Sequence, residues 1–166
     1  MTITHGTAWT RTLTVLTLGA AAFALAGCSL IGNITGGTID TDPSDGTDTD
    51  VFTIKVGDCL NDGGVDGEVS TVPTIDCAEP HDSEAYASIM VPDGDYPGTD
   101  AVLEQADAEC LAAFPDYVGI AYEESTLGFA YYYPTEQSWA TGDREILCLL
   151  YDPAGQVEGS LADSAR

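Results

Sequence analysis

Residues 100–114 read DAVLEQADAECLAAF, and this stretch decides the fold. Its apolar side chains recur at the i, i+3, i+7, i+8 and i+11 spacing of one helix face. These side chains are Leu103, Ala106, Cys110, Leu111 and Phe114. Thr99 or Asp100 can cap the start of the helix, and Pro115 is expected to end it. Because Cys110 lies on the apolar face, a disulfide from it would hold the helix against a sheet.

Strands are predicted on both sides of this helix. The segments with alternating or β-branched and aromatic residues are 52–56, 71–77, 84–91, 127–133 and 144–151. Residues 135–140 indicate one further helical turn, which Gly142 ends. The sequence therefore predicts a small α+β domain, stapled by disulfides, in which a mainly antiparallel sheet packs on one principal helix.

The N-terminus has the pattern of an export signal. Arg11 precedes an apolar run over residues 13–25, which is shorter than the roughly 20 residues of a membrane-spanning helix. Small residues and a cysteine follow, as Leu25-Ala26-Gly27-Cys28. This stretch resembles the lipobox of bacterial lipoproteins, which implies cleavage before Cys28 and diacylation of its thiol. The resemblance predicts a lipid anchor on the outer face of the cell membrane.

Four zones follow from this interpretation. Residues 1–27 are the lipoprotein signal peptide, and residues 28–50 are the lipidated cysteine with a flexible acidic linker. Residues 51–155 are the folded domain, and residues 156–166 are expected to form a frayed tail. The acids between positions 40 and 50 do not fit a calcium-binding EF-hand loop, because they are out of register and the closing glutamate is missing.

The charge of the chain is strongly negative. All 28 acidic residues lie after Cys28, and the processed chain opposes them with Lys55, Arg144 and Arg166 only. Such a field repels phosphates, which excludes nucleic acid as a partner, and it favours cations or a basic protein surface. The same charge would also be explained by solubility alone.

Four cysteines remain once Cys28 carries the lipid. An even number in a small exported domain predicts two disulfides, and three pairings are open. We favour Cys59–Cys77 with Cys110–Cys148, since this pairing keeps both loops local. A zinc site is the competing interpretation, but the chain has no C-x-x-C pair and one histidine after processing.

Catalytic patterns are scarce, and we expect no enzyme and no cofactor. His81 is the single histidine of the processed chain, and no G-x-S-x-G motif or glycine-rich phosphate loop occurs. Glu123 and Glu124 are adjacent acids, which on a strand would point to opposite faces.

Two groups of residues are candidates for an interaction site. The first is His81 with Glu84, where the alternative is a structural histidine that bonds the backbone beside a disulfide while Glu84 sets its tautomer. The second group is aromatic and charged: Tyr131, Tyr133, Trp139, Asp143 and Arg144. Its alternative is equally structural, with the tryptophan filling the edge of the core and the arginine pairing with nearby carboxylates.

Several motifs together resemble the septum-formation domain of bacterial envelope proteins. They are VGDC at 56–59, C-x-x-P-H-x-x-E at 77–84, YVG at 117–119 after the Cys110 helix, and YYPTEQSWATGDREILC at 132–148. The resemblance covers nearly all of residues 51–153. It implies an envelope location, a disulfide-bonded core and a role near the division septum, and it brings no catalytic residues.

The sequence therefore predicts a non-catalytic, lipid-anchored envelope protein. We expect it to bind an envelope or division protein or a cell-wall component. The alternative function is that of a lipoprotein that binds a cation or another small ligand.

Overall fold

The computed structural model describes residues 46–63 and 67–166, which form an antiparallel sheet with one long helix on one face. The strands are β1 (Thr47–Asp50), β2 (Cys59–Leu60), β3 (Thr71–Ile75), β4 (Ser83–Met90), β5 (Gly128–Tyr132) and β6 (Glu145–Tyr151). The helices are α1 (Thr99–Val118) and the short α2 (Glu136–Trp139). Short 3-10 turns cover Val51–Thr53 and Tyr122–Glu124. The predicted α+β class is confirmed.

The strand order is β1-β3-β2-β4-β6-β5, and every pairing is antiparallel. The longest pairing joins β4 to β6, from Ser83 opposite Tyr151 to Met90 opposite Glu145. Residues 146–150 of β6 are all buried, because this strand has neighbours on both sides and core on both faces. An almost continuous apolar run is the expected signature of such a strand.

The buried face of α1 differs from the predicted one. The side chains that pack on the sheet are spaced by four residues: Val102, Ala106, Cys110, Phe114 and Val118. Leu111, expected on this face, is 38 % exposed. The small side chains of Ala106 and Cys110 at the centre let the helix lie close to the strands. The buried face therefore keeps Ala106, Cys110 and Phe114 of the predicted set, while Val102 and Val118 take the places expected for Leu103 and Leu111.

The end of α1 was also predicted wrongly. The helix continues through Pro115 to Val118, and Gly119 ends it in the left-handed region with φ 91°. The amide of Gly119 donates to the carbonyl of Pro115. Proline removes one hydrogen bond, but the burial of Phe114 and Val118 on either side of it keeps the last turn helical.

Both disulfides have the predicted pairing. Cys59 is bonded to Cys77 across 18 residues, and Cys110 is bonded to Cys148 across 38 residues. The second bridge joins α1 to the central strand β6 inside the core, where both cysteines are fully buried. This bridge holds α1 against the sheet, as the position of Cys110 predicted.

The opposite face of the sheet has a smaller apolar cluster, made of Ile54, Leu60, Val72, Ala85, Leu147 and Leu149. The strand predicted over 52–56 does not form: Val51–Thr53 are a 3-10 turn, and of residues 52–56 only Ile54 enters the cluster.

The predicted flexible linker also ends earlier than expected. Residues 47–50 pair with β3, because Thr49 bonds Thr74 through their hydroxyls at 2.6 Å and the backbones align in register.

The C-terminal segment is packed rather than frayed, which corrects the expectation for residues 156–166. Val157 pairs with His81 as an isolated bridge, and Leu161 is 2 % exposed in the core on the helix side. The amides of Asp163 and Ala165 donate to the carbonyls of residues 117 and 118. These bonds satisfy acceptors at the end of α1 that a helix cannot bond internally.

The predicted signal peptide, Cys28 and most of the linker lie outside the described residues. Within residues 46–63 and 67–166, no helix combines the length and apolar character needed to cross a membrane.

Candidate functional site

The sheet face opposite α1 carries an open groove of about 1000 Å³. Because side chains alternate along a strand, Tyr132 of β5 and Leu147 and Leu149 of β6 lie on this face and form its floor. The 3-10 turn over 51–53 contributes to one wall, and the segment 135–143 contributes to another. The groove therefore combines an apolar floor with walls from several loops, which is typical of a binding site.

Carboxylates surround this floor without a basic residue among the described lining. Five acids are not in any ion pair of the described residues: Asp62, Glu68, Asp82, Asp143 and Glu145. Asp152 also lines the groove, but Arg166 pairs with it at 2.6 Å. The groove thus concentrates the negative charge of the chain at one concave surface, where low-dielectric walls strengthen the attraction of a cation.

Both carboxylate oxygens of Asp62 accept a hydrogen bond. Its Oδ1 accepts from the hydroxyl of Ser83 at 2.6 Å, and its Oδ2 accepts from the hydroxyl of Tyr132 at 2.7 Å. Burial and the nearby carboxylate of Asp62 raise the pKa of Tyr132 well above its usual range. Tyr132 is therefore a neutral donor across the accessible pH range, which holds the carboxylate in place at the groove floor.

The wall of the groove formed by residues 135–143 is organised by the start of α2. Thr135 caps this helix by accepting from the amide of Ser138, and the Ser138 hydroxyl donates to Oδ2 of Asp143 at 2.8 Å. The other oxygen of Asp143 accepts from the amide of Glu145. The position of this carboxylate is consequently fixed by a serine hydroxyl at one oxygen and by a backbone amide at the other.

Trp139 and Arg144 belong to the structural framework behind that wall. Trp139 is 6 % exposed, and its ring NH donates to the carbonyl of Gly94 at 3.0 Å. Arg144 stacks on the indole at 3.8 Å and pairs with Asp93 at 3.2 Å. Its guanidinium also donates to the carbonyl of Trp139. The structural alternative for these two residues is the one that the geometry supports, and Arg144 does not line the groove.

The consecutive tyrosines 131 and 132 lie on opposite sides of the sheet, Tyr131 with the helix-side core and Tyr132 with the cluster of the groove floor. Tyr131 packs against the helix-side core and donates to Asp107 of α1 at 2.9 Å, and burial followed by Asp107 raises its pKa to about 12. Tyr133 lies against the Tyr131 ring and is 37 % exposed. Tyr132, which sequence reasoning passed over, is the tyrosine whose ring packs with the floor of the groove. The alternation of the strand was the signal that could have identified it.

His81 and Glu84 are fully buried, so neither side chain is available to a partner at the surface. His81 Nδ1 lies 2.9 Å from the carbonyl of Glu79, as expected for a histidine bonded to the backbone beside a disulfide. Glu84 does not set its tautomer by a hydrogen bond. Its carboxylate accepts instead from Tyr117, Ser160 and the amide of Leu161, all at 2.5–2.6 Å.

A comparison with known protein families identifies the family to which the domain belongs. A family model described as septum formation matches residues 34–161, more than three quarters of the chain. The chain belongs to this family. Membership in the septum-formation family links the protein to a role in septum formation or in the cell envelope. No curated protein and no solved structure matches the chain. The roles of individual residues in this septum-formation domain therefore follow from their own geometry.

Proposed function

We propose that the protein is a non-catalytic, lipid-anchored envelope protein that binds a basic segment of a partner protein in the groove, in the course of septum formation. The observation that carries the proposal is the groove itself, in which five acids without a basic partner surround an apolar floor. Family membership supports the septal or envelope setting. The resemblance of residues Leu25–Cys28 to a lipobox supports the anchor.

A segment containing lysine or arginine matches this surface in two ways. The aliphatic stems of these side chains can lie on Tyr132 and on the leucines of the floor, and their charged ends can reach the carboxylates of the walls. Wall polymers rich in phosphate are disfavoured by the same charges. The proposal therefore names a basic protein partner in preference to an anionic wall component.

Binding is supported over catalysis by the chemistry that the groove offers. Its described lining consists of carboxylates, one carboxamide, tyrosines, hydroxyls, glycines and apolar side chains, without histidine, cysteine or lysine. The carboxylates of Asp62 and Asp143 are held by fixed donors. Such groups are arranged to attract charge. The hydroxyls of Ser83 and Ser138 donate to these carboxylates, and the described lining offers no histidine or lysine to activate either hydroxyl as a nucleophile.

The groove is tested with the purified full chain in detergent and two model peptides, one alternating lysine with leucine and one alternating glutamate with leucine. We expect the lysine peptide to bind, more weakly as salt rises, and the glutamate peptide not to bind. Glu68→Gln combined with Asp82→Asn should weaken binding several-fold. Glu104→Gln combined with Asp116→Asn is the matched control, because both residues are exposed acids of α1 outside the groove and the same number of charges is removed.

Equal weakening by the groove and control variants would show attraction by net charge alone and would refute the site. Binding of calcium by the wild-type chain, lost in the groove variant, would favour the alternative function of a cation-binding lipoprotein.

The cellular part of the proposal is tested by localisation of the tagged protein in dividing cells, with Cys28→Ala as the control for the lipid anchor. Enrichment at the septum that requires Cys28 is expected. A uniform membrane signal would contradict the septal role and leave peptide binding by the groove as a separate question.

A further inference from the structure

His81 has an unusual environment for a fully buried side chain. Nδ1 lies 2.9 Å from the carbonyl of Glu79, and a carbonyl can only accept, so the ring proton resides on Nδ1. Nε2 is then left with a lone pair, and it has no hydrogen-bond partner. A buried polar atom without a partner is costly and rare in a native structure. This tautomer, with the other nitrogen fixed by a backbone carbonyl, is the one in which histidine binds a metal ion.

Two further ligand types lie beside this ring. The Sγ of Cys59, a ring nitrogen of His81 and a carboxylate oxygen of Glu84 all lie within 4.8 Å of one another, and all three residues are buried. Glu84 accepts three hydrogen bonds, while a carboxylate has about four lone-pair sites, so one site remains for a ligand. Ligand atoms around a tetrahedral zinc ion are about 3.5 Å apart, so the three ligand atoms here would have to move roughly 1 Å closer together to bind zinc.

The disulfide is what prevents these atoms from binding a metal ion. Cys59 Sγ is bonded to Cys77 Sγ, and a disulfide sulfur is a poor ligand, whereas a thiolate is among the best for zinc. Cys77 is partly exposed and Cys59 is buried. A reductant therefore meets the sulfur of Cys77 first. Reduction would give two thiolates, one histidine and one carboxylate within one small region.

We propose that reduction of Cys59–Cys77 creates a zinc site formed by Cys59, Cys77, His81 and Glu84. A dithiol of the envelope supplies two electrons and two protons, the sulfur–sulfur bond breaks, and the dithiol becomes a disulfide. Zn²⁺ then displaces the protons of the two thiols and is held by two sulfurs, Nε2 and one carboxylate oxygen. The oxidised domain does not bind the ion. This site is independent of the groove and of its proposed partner.

The test uses the full chain with Cys28→Ala, which removes the fifth cysteine. Cys59–Cys77 is reduced with a phosphine, which is then removed without oxygen. Mass spectrometry after alkylation identifies the bridge that opened, and the fully buried Cys110–Cys148 is expected to stay closed. Co²⁺ and Zn²⁺ are then added. We expect the reduced protein to bind one ion per chain with the absorption of tetrahedral cobalt thiolate, and the oxidised protein to bind none.

His81→Asn is the deciding variant, because an asparagine amide can keep the bond to the carbonyl of Glu79 but is a poor zinc ligand. It should weaken binding by more than about tenfold and change the cobalt spectrum. Glu84→Gln should also weaken binding. If reduction unfolds the chain, zinc should restore its circular dichroism, since binding and folding are then coupled.

Three results would overturn the proposal. The first is no binding by the reduced chain, whether folded or unfolded. The second is binding that His81→Asn leaves unchanged, which would mean that two thiols alone capture the metal. The third is equal binding by the oxidised protein, which would remove the role of the disulfide.

Discussion

Leu161→Ala should destabilise the protein strongly, although Leu161 lies only five residues before Arg166. The side chain is 2 % exposed and belongs to the same cluster of buried residues as Phe114 and Val118. Its amide donates to Glu84, and alanine keeps this bond, so the substitution tests packing alone. Truncation of a buried leucine costs about 3 kcal/mol. For a domain of this size that corresponds to a fall in melting temperature of roughly 12 °C.

Leu111→Ala provides the matched control, because it removes the same atoms from a side chain that is 38 % exposed. Its cost should stay below about 1 kcal/mol, since less apolar area is lost and alanine favours the helix. Urea unfolding of both variants, followed by circular dichroism, measures the difference. Equal free energies of unfolding for the two variants would refute the packed C-terminal segment and restore the frayed tail that the sequence suggested.

Two other predictions concern the disulfides and the tyrosines. Replacing Cys110 and Cys148 by alanine should lower the free energy of unfolding by about 4 kcal/mol, and replacing Cys59 and Cys77 should lower it by about 3 kcal/mol. The difference arises because the disulfides close loops of 38 and 18 residues, respectively. Urea unfolding that gave the reverse order would contradict this prediction. Because the pKa of Tyr131 is raised to about 12 from 10.0, the unfolded chain loses this proton first, so stability should fall as pH rises from about 10 to 12. Tyr131→Phe should reduce that slope in unfolding experiments at high pH, and an unchanged slope would show that Tyr131 does not contribute.

The parts of the fold that the sequence predicted are those with a strong local signal. The existence of α1, the strands from Thr71 onward and both disulfides were correct, because apolar periodicity and cysteine spacing are properties of the chain itself. The incorrect parts depend on distant partners. Residues 47–50 are polar and become a strand only because β3 offers its edge. Residues 156–166 are ordered by α1 and Glu84, which lie far away in sequence.

The candidate site was predictable to a smaller extent. The sequence drew attention to residues 131–144, several of which line the groove, but the face on which each aromatic side chain lies depends on strand register. Tyr132 was therefore passed over in favour of its neighbours, and Trp139 proved to be a framework residue. The burial of His81 and Glu84 could not be inferred either. Polar residues in a loop motif are usually exposed, and here the C-terminal segment covers them.

The edge position of β1 has a mechanical consequence. Within the described residues, β1 is paired to β3 alone, so a pull on residue 46 would detach it without disturbing the central strands. The unravelling would stop at Cys59, because a covalent bond to Cys77 fixes that point. Residues 46–58 would then be released as an extended segment about 45 Å long. A domain held at its N-terminal side could thus extend its reach under load. Ile54 would leave the smaller apolar cluster, while the helix-side core and the groove floor stay folded.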